Sequence, residues 1–347
     1  MMSQAQPEGT QDGVLLRVSA ASKQFAPSLS FGDHIAAWLG QEVDQRIVHA
    51  VDTVSLALHR GEVLGLVGES GCGKSTLGRM MAGIYPASRG SIELDGVPVM
   101  GTGKKPLKTT TRIQMVFQDP FASLDPRVRI GETIGEGPLY HGLVDQTRVK
   151  AYVAQWLETV GLPAEAAERF PHQFSGGQRQ RVAIARALAM QPDILICDEP
   201  VASLDVSIQA QIINLFLKLK HELNLTMLFI SHDLGVIRHI TDNIAVMYLG
   251  RIVERGPTLQ VYENPRHPYT RALLDSIPRL VTEGDELVTF KAIEGELPSP
   301  LAPPPGCHFH LRCPFAQEVC KSSVPDLTNA PSLPDQDRHV ACHFPIG

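Results

Sequence analysis

Apolar and polar positions alternate from Val14 onward, with Val14, Leu15, Leu16 and Val18 setting a first strand pattern. A second pattern runs through Val51, Val54, Leu56 and Leu58 and stops at His59-Arg60-Gly61. Residues 26–47 between them, with Trp38 and Leu39, read as an insertion in a β-rich subdomain. Val63 to Val67 is a short apolar run, and Thr76 to Gly83 after it carries helix formers. Ser91 to Gly96 reads as a strand and turn, and Ile113 to Phe117 as a strand ending at Gln118. A proline-punctuated loop spans Asp119 to Arg127. Val149, Val153, Trp156, Leu157 and Val160 then recur at helical spacing, so a helical insertion occupies residues 130–170, within a subdomain of about 121–180. A helix from Ser175 to Met190 is stopped by Pro192. Ile194 to Cys197 is entirely apolar, the kind of strand buried on both faces of a parallel sheet. A helix from Val206 to Asn224 and a strand from Thr226 to Ile230 follow. This alternation predicts an open parallel α/β sheet with its ligand at the strands' carboxyl ends.

The pattern changes beyond Pro278. Residues 298–347 are proline-rich, opening with PSPLAPPPG, and hold four of the six cysteines. We read residues 14–280 as one nucleotide-type domain and 281–347 as a separate C-terminal module that does not continue the sheet. A length of 347 residues is compatible with two domains. The hydrophobic share of 43% is globular. A net charge of −6 gives no broad footprint for nucleic acid, so no nucleic-acid partner is expected. No apolar run approaches the ~18 residues that span a bilayer. The polar start, MMSQAQPEGTQDG, lacks the apolar core of a secretion signal, so a cytosolic location is expected.

The richest segment is GESGCGKS, Gly68 to Ser75, with Thr76 next. A strand, a glycine turn and a helix in that order form a phosphate cradle. Glycines let backbone N–H groups point inward, and the helix N-terminus adds roughly half a positive charge. Lys74 supplies a point charge for the β- and γ-phosphates, and the Ser75 hydroxyl can ligate Mg²⁺. Asp198 and Glu199 end a strand: the first can hold the Mg²⁺ shell, and the second can accept a proton from attacking water. Gln118 ends another strand, where a neutral amide could touch both Mg²⁺ and the water. His232 follows a third strand end. Ser175-Gly176-Gly177-Gln178 opens a helix with a capping serine and free N–H groups, an anion site separate from the first. Two half-sites in one chain imply a nucleotide sandwiched between two subunits.

Together these segments resemble the ATP-binding subunit of an ABC transporter. Gly68–Ser75 is similar to the Walker A loop and Ile194–Glu199 to Walker B. Phe174 to Gln178 is similar to the family signature, with Phe174 in the leucine place. Gln118 matches the Q-loop, Ser203-Leu204-Asp205 the D-loop and His232 the switch histidine, over roughly residues 14–280. The resemblance implies a P-loop NTPase fold of the ABC type with a β-rich subdomain, a helical insertion and a small Cys-rich C-terminal module. It implies ATP bound by Gly68, Glu69, Ser70, Gly71, Cys72, Gly73, Lys74, Ser75 and Thr76, with Phe25 stacked on adenine. Mg²⁺ would be held through Ser75, Gln118 and Asp198. Glu199 would be the base, with His232 and Gln118 beside it. Ser175, Gly176, Gly177, Gln178 and Asp205 would serve a partner's ATP. The loop after Gln118, with Phe121 and Leu124, would meet a coupling helix of a membrane subunit.

The four tail cysteines, Cys307, Cys313, Cys320 and Cys342, are separated by five, six and twenty-one residues, unlike the paired spacing typical of zinc sites. Four thiolates can hold a [4Fe–4S] cluster or a zinc ion; free structural thiols are the alternative. Cys72 and Cys197 lie inside motifs and read as small packing residues. Glu263 to Leu274, the proline-rich stretch and the cysteine run resemble the oligopeptide/dipeptide importer branch, in which some members carry an iron–sulfur cluster at such cysteines. The branch implies an ATPase that powers uptake of peptides, and also admits nickel, glutathione or sugar as solute. Its partners would be two integral-membrane permease subunits, a second ATPase subunit and an extracytoplasmic binding protein, on the cytoplasmic face of the inner membrane. A soluble ATPase acting on ribosomes or DNA is the alternative class. The absence of a second nucleotide domain, a heptad arm or a basic tract argues against it.

Overall fold

A computed structural model describes residues 13–26, 46–103, 106–120, 123–277, 293, 295–329 and 338–347. Most of the 26–47 insertion, including Trp38 and Leu39, and Phe121 lie outside the described residues.

Two sheets organise the chain. The smaller is antiparallel, in the order β2-β1-β4-β5. Its main pair is β1 (Val14–Phe25) against β2 (Val48–His59), with β4 (Arg89–Leu94) on the other side of β1 and β5 (Val97–Pro98) at the edge. Leu16 faces Leu58 and Val18 faces Leu56, all four buried. The alternation read along these strands thus gives one apolar and one polar face.

The larger sheet runs β11-β12-β10-β9-β3-β8-β7-β6. Its centre is parallel: β9 (Asn243–Tyr248), β3 (Val63–Val67), β8 (Thr226–Ile230), β7 (Ile194–Asp198) and β6 (Ile113–Val116). Every residue of β3, β7 and β8 is buried. Each such Val, Leu or Ile contributes roughly 1.5–3 kcal/mol by leaving water, which is why strands with no polar face are stable here. Helices follow the strands: α1 (Lys74–Met81) after β3, α5 (Val206–Leu223) after β7 and α6 (Leu234–Ile240) after β8. The carboxyl ends of β3, β6, β7 and β8 therefore share one edge, carrying Gly68, Gln118, Glu199 and His232.

The helical insertion is present between β6 and β7. It holds α2 (Ile130–Tyr140), α3 (Val149–Thr159), two 3₁₀ turns and α4 (Gly176–Leu188). Val153, Leu157 and Val160 form its buried stripe, as their spacing implies.

The tail corrects one expectation. It continues the sheet: β12 (His339–Val340) pairs antiparallel with β10 (Arg251–Pro257), and β11 (Thr328–Asn329) pairs with β12. The outer edge of β10 would otherwise present unpaired N–H and C=O groups, and the tail satisfies them. Strands two residues long leave no periodicity to read. Phe309, 1% exposed, sits within the main core. Between the sheet and the tail lie α7 (Thr258–Glu263) and α8 (Pro268–Asp275), and α9 (Glu318–Ser322) lies within the tail.

Candidate nucleotide site

The phosphate loop leaves β3 through Gly68 and enters α1 after Gly73. Both glycines have positive φ, 154° and 108°. A Cβ on Gly68 would lie 2.1 Å from the Met247 carbonyl oxygen, and one on Gly73 2.1 Å from that of Ala50. Only glycine fits either place. Lys74 is 4% exposed and donates to the carbonyls of Gly68 (2.8 Å) and Glu69 (3.0 Å), which hold its ammonium at the loop.

The Ser75 hydroxyl donates to Asp198 Oδ1 at 2.7 Å. Asp198 is 1% exposed. Burial raises its pKa, opposed by the Ser75 hydrogen bond and by Arg79, whose guanidinium lies 4.0 Å away. A hydroxyl and a carboxylate together are hard oxygen donors of the kind Mg²⁺ takes. The pair fits the expected ion.

Glu199 occupies the left-handed region at φ 47°, a conformation costing about 1–3 kcal/mol and found mostly at functional positions. Its backbone N–H donates to the Ile230 carbonyl at 3.0 Å, tying the end of β7 to that of β8. Gln118 Nε2 donates to Glu199 Oε2 at 3.0 Å, and His232 Nδ1 lies 3.1 Å from the same oxygen. Three residues from three strand ends thus meet at one carboxylate.

A cleft of about 360 Å³ gathers Phe25, Ser70, Gly71, Gly73, Lys74, Ser75, Thr76, Gln118 and Glu199. Gly68, Glu69 and Cys72 belong to the loop but do not line it. Cys72 and Cys197 are buried packing residues, as read, and burial pushes up both thiols' pKa values. Phe25 is 36% exposed and meets Tyr85 edge to face at 5.4 Å. Val48, Ala50 and Pro300 also line the cleft and escaped the sequence reading. Pro300 arrives because its carbonyl accepts the His49 N–H at 2.9 Å, a contact with no local signal.

The signature segment lies apart from this cleft. Ser175 caps α4: its hydroxyl accepts from Gln178 N at 3.4 Å, and Gln178 Oε1 accepts from Ser175 N at 3.1 Å. That capping box explains the serine and glutamine structurally. A Cβ on Gly177 would lie 2.4 Å from Ile208 Cγ2, so the glycine lets α4 approach α5. Phe174 is a buried anchor, 5% exposed. Ser175 and Gln178 face solvent, as do Asp205 and Val206, the last 82% exposed. None of these lines the chain's own cleft.

Two further expectations change. Leu124 is 4% exposed and packs in the core, so it is not available to a membrane subunit. The four tail cysteines do line one small cavity, together with His267, His310 and Phe309. Burial, with the neighbouring thiols, pushes the Cys342 pKa up to about 11. Among the described residues, however, no group of three or more His, Cys, Asp or Glu is arranged to hold a metal ion. The geometry therefore does not support the expected iron–sulfur or zinc site.

A phosphate loop, a serine hydroxyl bonded to a buried aspartate and a clamped glutamate at one sheet edge define an ATPase of the P-loop class. The ABC transporter family model matches residues 51–202, and the model described as the oligopeptide/dipeptide transporter C-terminal region matches residues 253–320. The oligopeptide transport ATP-binding protein AppF of Bacillus subtilis is 50% identical over 300 residues, covering 86% of this chain and 90% of that protein. OppF of Escherichia coli, similarly described, is 48% identical over 285 residues, covering 81% and 85%. Among solved structures, a dimeric post-hydrolysis state of the ATP-binding cassette MJ0796 with ADP and Pi matches with a TM-score of 0.58 at 25% identity, covering 70% of this chain and 99% of that one. The chain belongs to the ATP-binding proteins of ABC transporters, in the oligopeptide/dipeptide branch. No helix among the described residues is long and apolar enough to cross a membrane.

Proposed function

We propose that this chain is the ATP-hydrolysing subunit of an importer of peptides, working at the cytoplasmic face of the membrane with permease subunits. The observation that carries the reading is the Glu199 carboxylate held by Gln118 and His232 in the cleft that Lys74 and Ser75 line. Relatives named for peptide transport supply the solute class.

In this reading the loop amides and Lys74 bind the phosphates of ATP. Ser75, Asp198 and Gln118 would hold Mg²⁺, which when bound neutralises phosphate charge. Glu199 accepts the proton of the attacking water, while Gln118 and His232 fix the carboxylate's direction. Ser175, Gln178 and Asp205 are exposed, which supports the segment's serving the ATP of a second ATPase subunit. That subunit and an extracytoplasmic binding protein complete the proposed assembly. Replacing Glu199 by Gln keeps the hydrogen-bond geometry and removes the base. The variant is expected to bind ATP normally and to lose about 10²–10⁴ in turnover, measured by phosphate release. Turnover at the wild-type rate would take Glu199 out of this role.

A groove of about 530 Å³ lies beside the Gln118 strand end, between β6, α2 and α4, with Ile84, Phe117 and Tyr140 on its rim. These three are 42%, 38% and 85% exposed. Apolar side chains so placed support docking of a permease segment that reports on Gln118. At the tail, four thiols facing one cavity have the donor chemistry of an iron–sulfur cluster or zinc, though they are not gathered into ligand geometry. Anaerobic purification and metal analysis test this: iron with a visible absorbance band lost in Cys313→Ser supports a cluster, and stoichiometric zinc supports zinc. A metal-free protein with full ATPase activity would leave the cysteines as packing thiols.

A further inference from the structure

Glu69 is the second residue of the phosphate loop, and groups from the far end of the chain hold it. Arg312 Nη1 donates to Glu69 Oε1 at 2.9 Å and to Oε2 at 3.1 Å, across 243 residues of sequence. The Arg312 side chain is 5% exposed and that of Glu69 25%, so the pair is largely shielded from water. The Tyr269 hydroxyl accepts the Glu69 backbone N–H at 2.9 Å. The Tyr248 hydroxyl accepts from Arg312 at 3.4 Å. The rings of Tyr248, Tyr269 and Phe309 pack on one another, with centroids 4.7, 5.2 and 5.4 Å apart. Phe309 also borders the cavity that the tail cysteines line. A contiguous set of contacts thus joins that cavity to the loop carbonyls that aim Lys74.

We propose that Arg312 is a positioning residue for ATP binding, through which the cysteine-bearing tail sets nucleotide affinity from outside the cleft. The inference rests on the reading of Gly68–Thr76 as the phosphate loop. Two physical effects act in the same direction. Fixing Glu69 preorganises the loop, so less conformational entropy is lost when phosphates arrive. Pairing Glu69 with a guanidinium also cancels a carboxylate charge that would repel the triphosphate. Neither effect reaches the hydrolytic groups: Gln118, Glu199 and His232 come from the ends of β6, β7 and β8, and none is bonded to Arg312 or Glu69. The predicted signature is a change in affinity with catalysis on bound ATP preserved.

Arg312→Ala and Arg312→Lys in the full chain test this, with equilibrium binding of a fluorescent ATP analogue and steady-state hydrolysis measured side by side. Loss of a charge-assisted, two-oxygen contact in Arg312→Ala is expected to raise Kd and KM for ATP about tenfold, with kcat within about twofold of wild type. Arg312→Lys keeps the charge on a shorter side chain that ends short of the Nη1 position reaching both oxygens, and falls between, at about threefold. Adding Glu69→Gln to Arg312→Ala removes the uncompensated carboxylate and recovers part of the affinity, because the two sites are coupled. Should Arg312→Ala fail to fold, the same split in Arg312→Lys decides. Unchanged Kd and KM in the lysine variant, or a fall in kcat together with thermal midpoint at constant KM, would overturn the proposal. A wild-type chain that itself bound no nucleotide would instead remove the phosphate-loop reading.

Discussion

Glu254 shows how single residues tie the tail to the ATPase core. It is fully buried on β10, and its carboxylate accepts from Arg338 Nη2 at 2.7 Å and from the backbone N–H groups of Arg266 and His267 at 2.8 and 2.9 Å. Arg338 is 2% exposed. Removing one partner strands a buried charge, so Arg338→Met is expected to destabilise the fold by about 3–5 kcal/mol in denaturant unfolding. The double change Arg338→Met with Glu254→Gln should recover part of that loss. Equal stability of wild type and Arg338→Met would show that the pair contributes nothing. At this scale the sequence was informative where function depends on local order. The placement of Gly68 to Thr76, Asp198 and Glu199 is legible because one strand end delivers each set. Pro300, Tyr269 and Arg312 are not, because their approach to the loop is fixed only when the tail folds back. Leu124 misled for a related reason: an apolar residue in a loop reads equally well as an exposed contact or as a core anchor.

Elements divide the work. The parallel strands β3, β6, β7 and β8 set out Lys74, Gln118, Glu199 and His232, and their continuous apolar runs made them readable with ends correct to a residue or so. The helices α2 to α4 carry the signature segment and one wall of the groove beneath Gln118. The groove's exposed apolar rim predicts a defined failure. Ile84→Asp and Tyr140→Asp place charge where a partner helix would bury apolar surface, at no cost to the chain's own core. Both variants should bind ATP as wild type does and lose co-purification with the permease subunits and peptide uptake. Retained uptake in the double variant would move the docking surface elsewhere. The elements that pattern reading missed are β11 and β12. They are too short to show a period, and they form because the edge of β10 offers backbone partners.

On the scale of the whole molecule, the cleft lined by Lys74 and Glu199 does not include Ser175 to Gln178 or Asp205. The exposed Val206 beside Asp205 is the kind of apolar position that a subunit interface would cover. The proposal that a second ATPase subunit uses the outer segment rests on this separation, since a second anion site is redundant unless another copy uses it. What the motif order did not show is that the tail borders the cleft at Pro300 and braces its loop at Glu69. The cleft is thereby lined from Phe25 near the start of the described chain to Pro300 in the tail.

The most direct test of the account is sedimentation of the Glu199→Gln chain, with its companion ATPase subunit present, at saturating Mg·ATP and again with ADP. Joined protomers with ATP and separate ones with ADP are the predicted result. Protomers that stay apart in both nucleotides would contradict a composite site shared between two subunits.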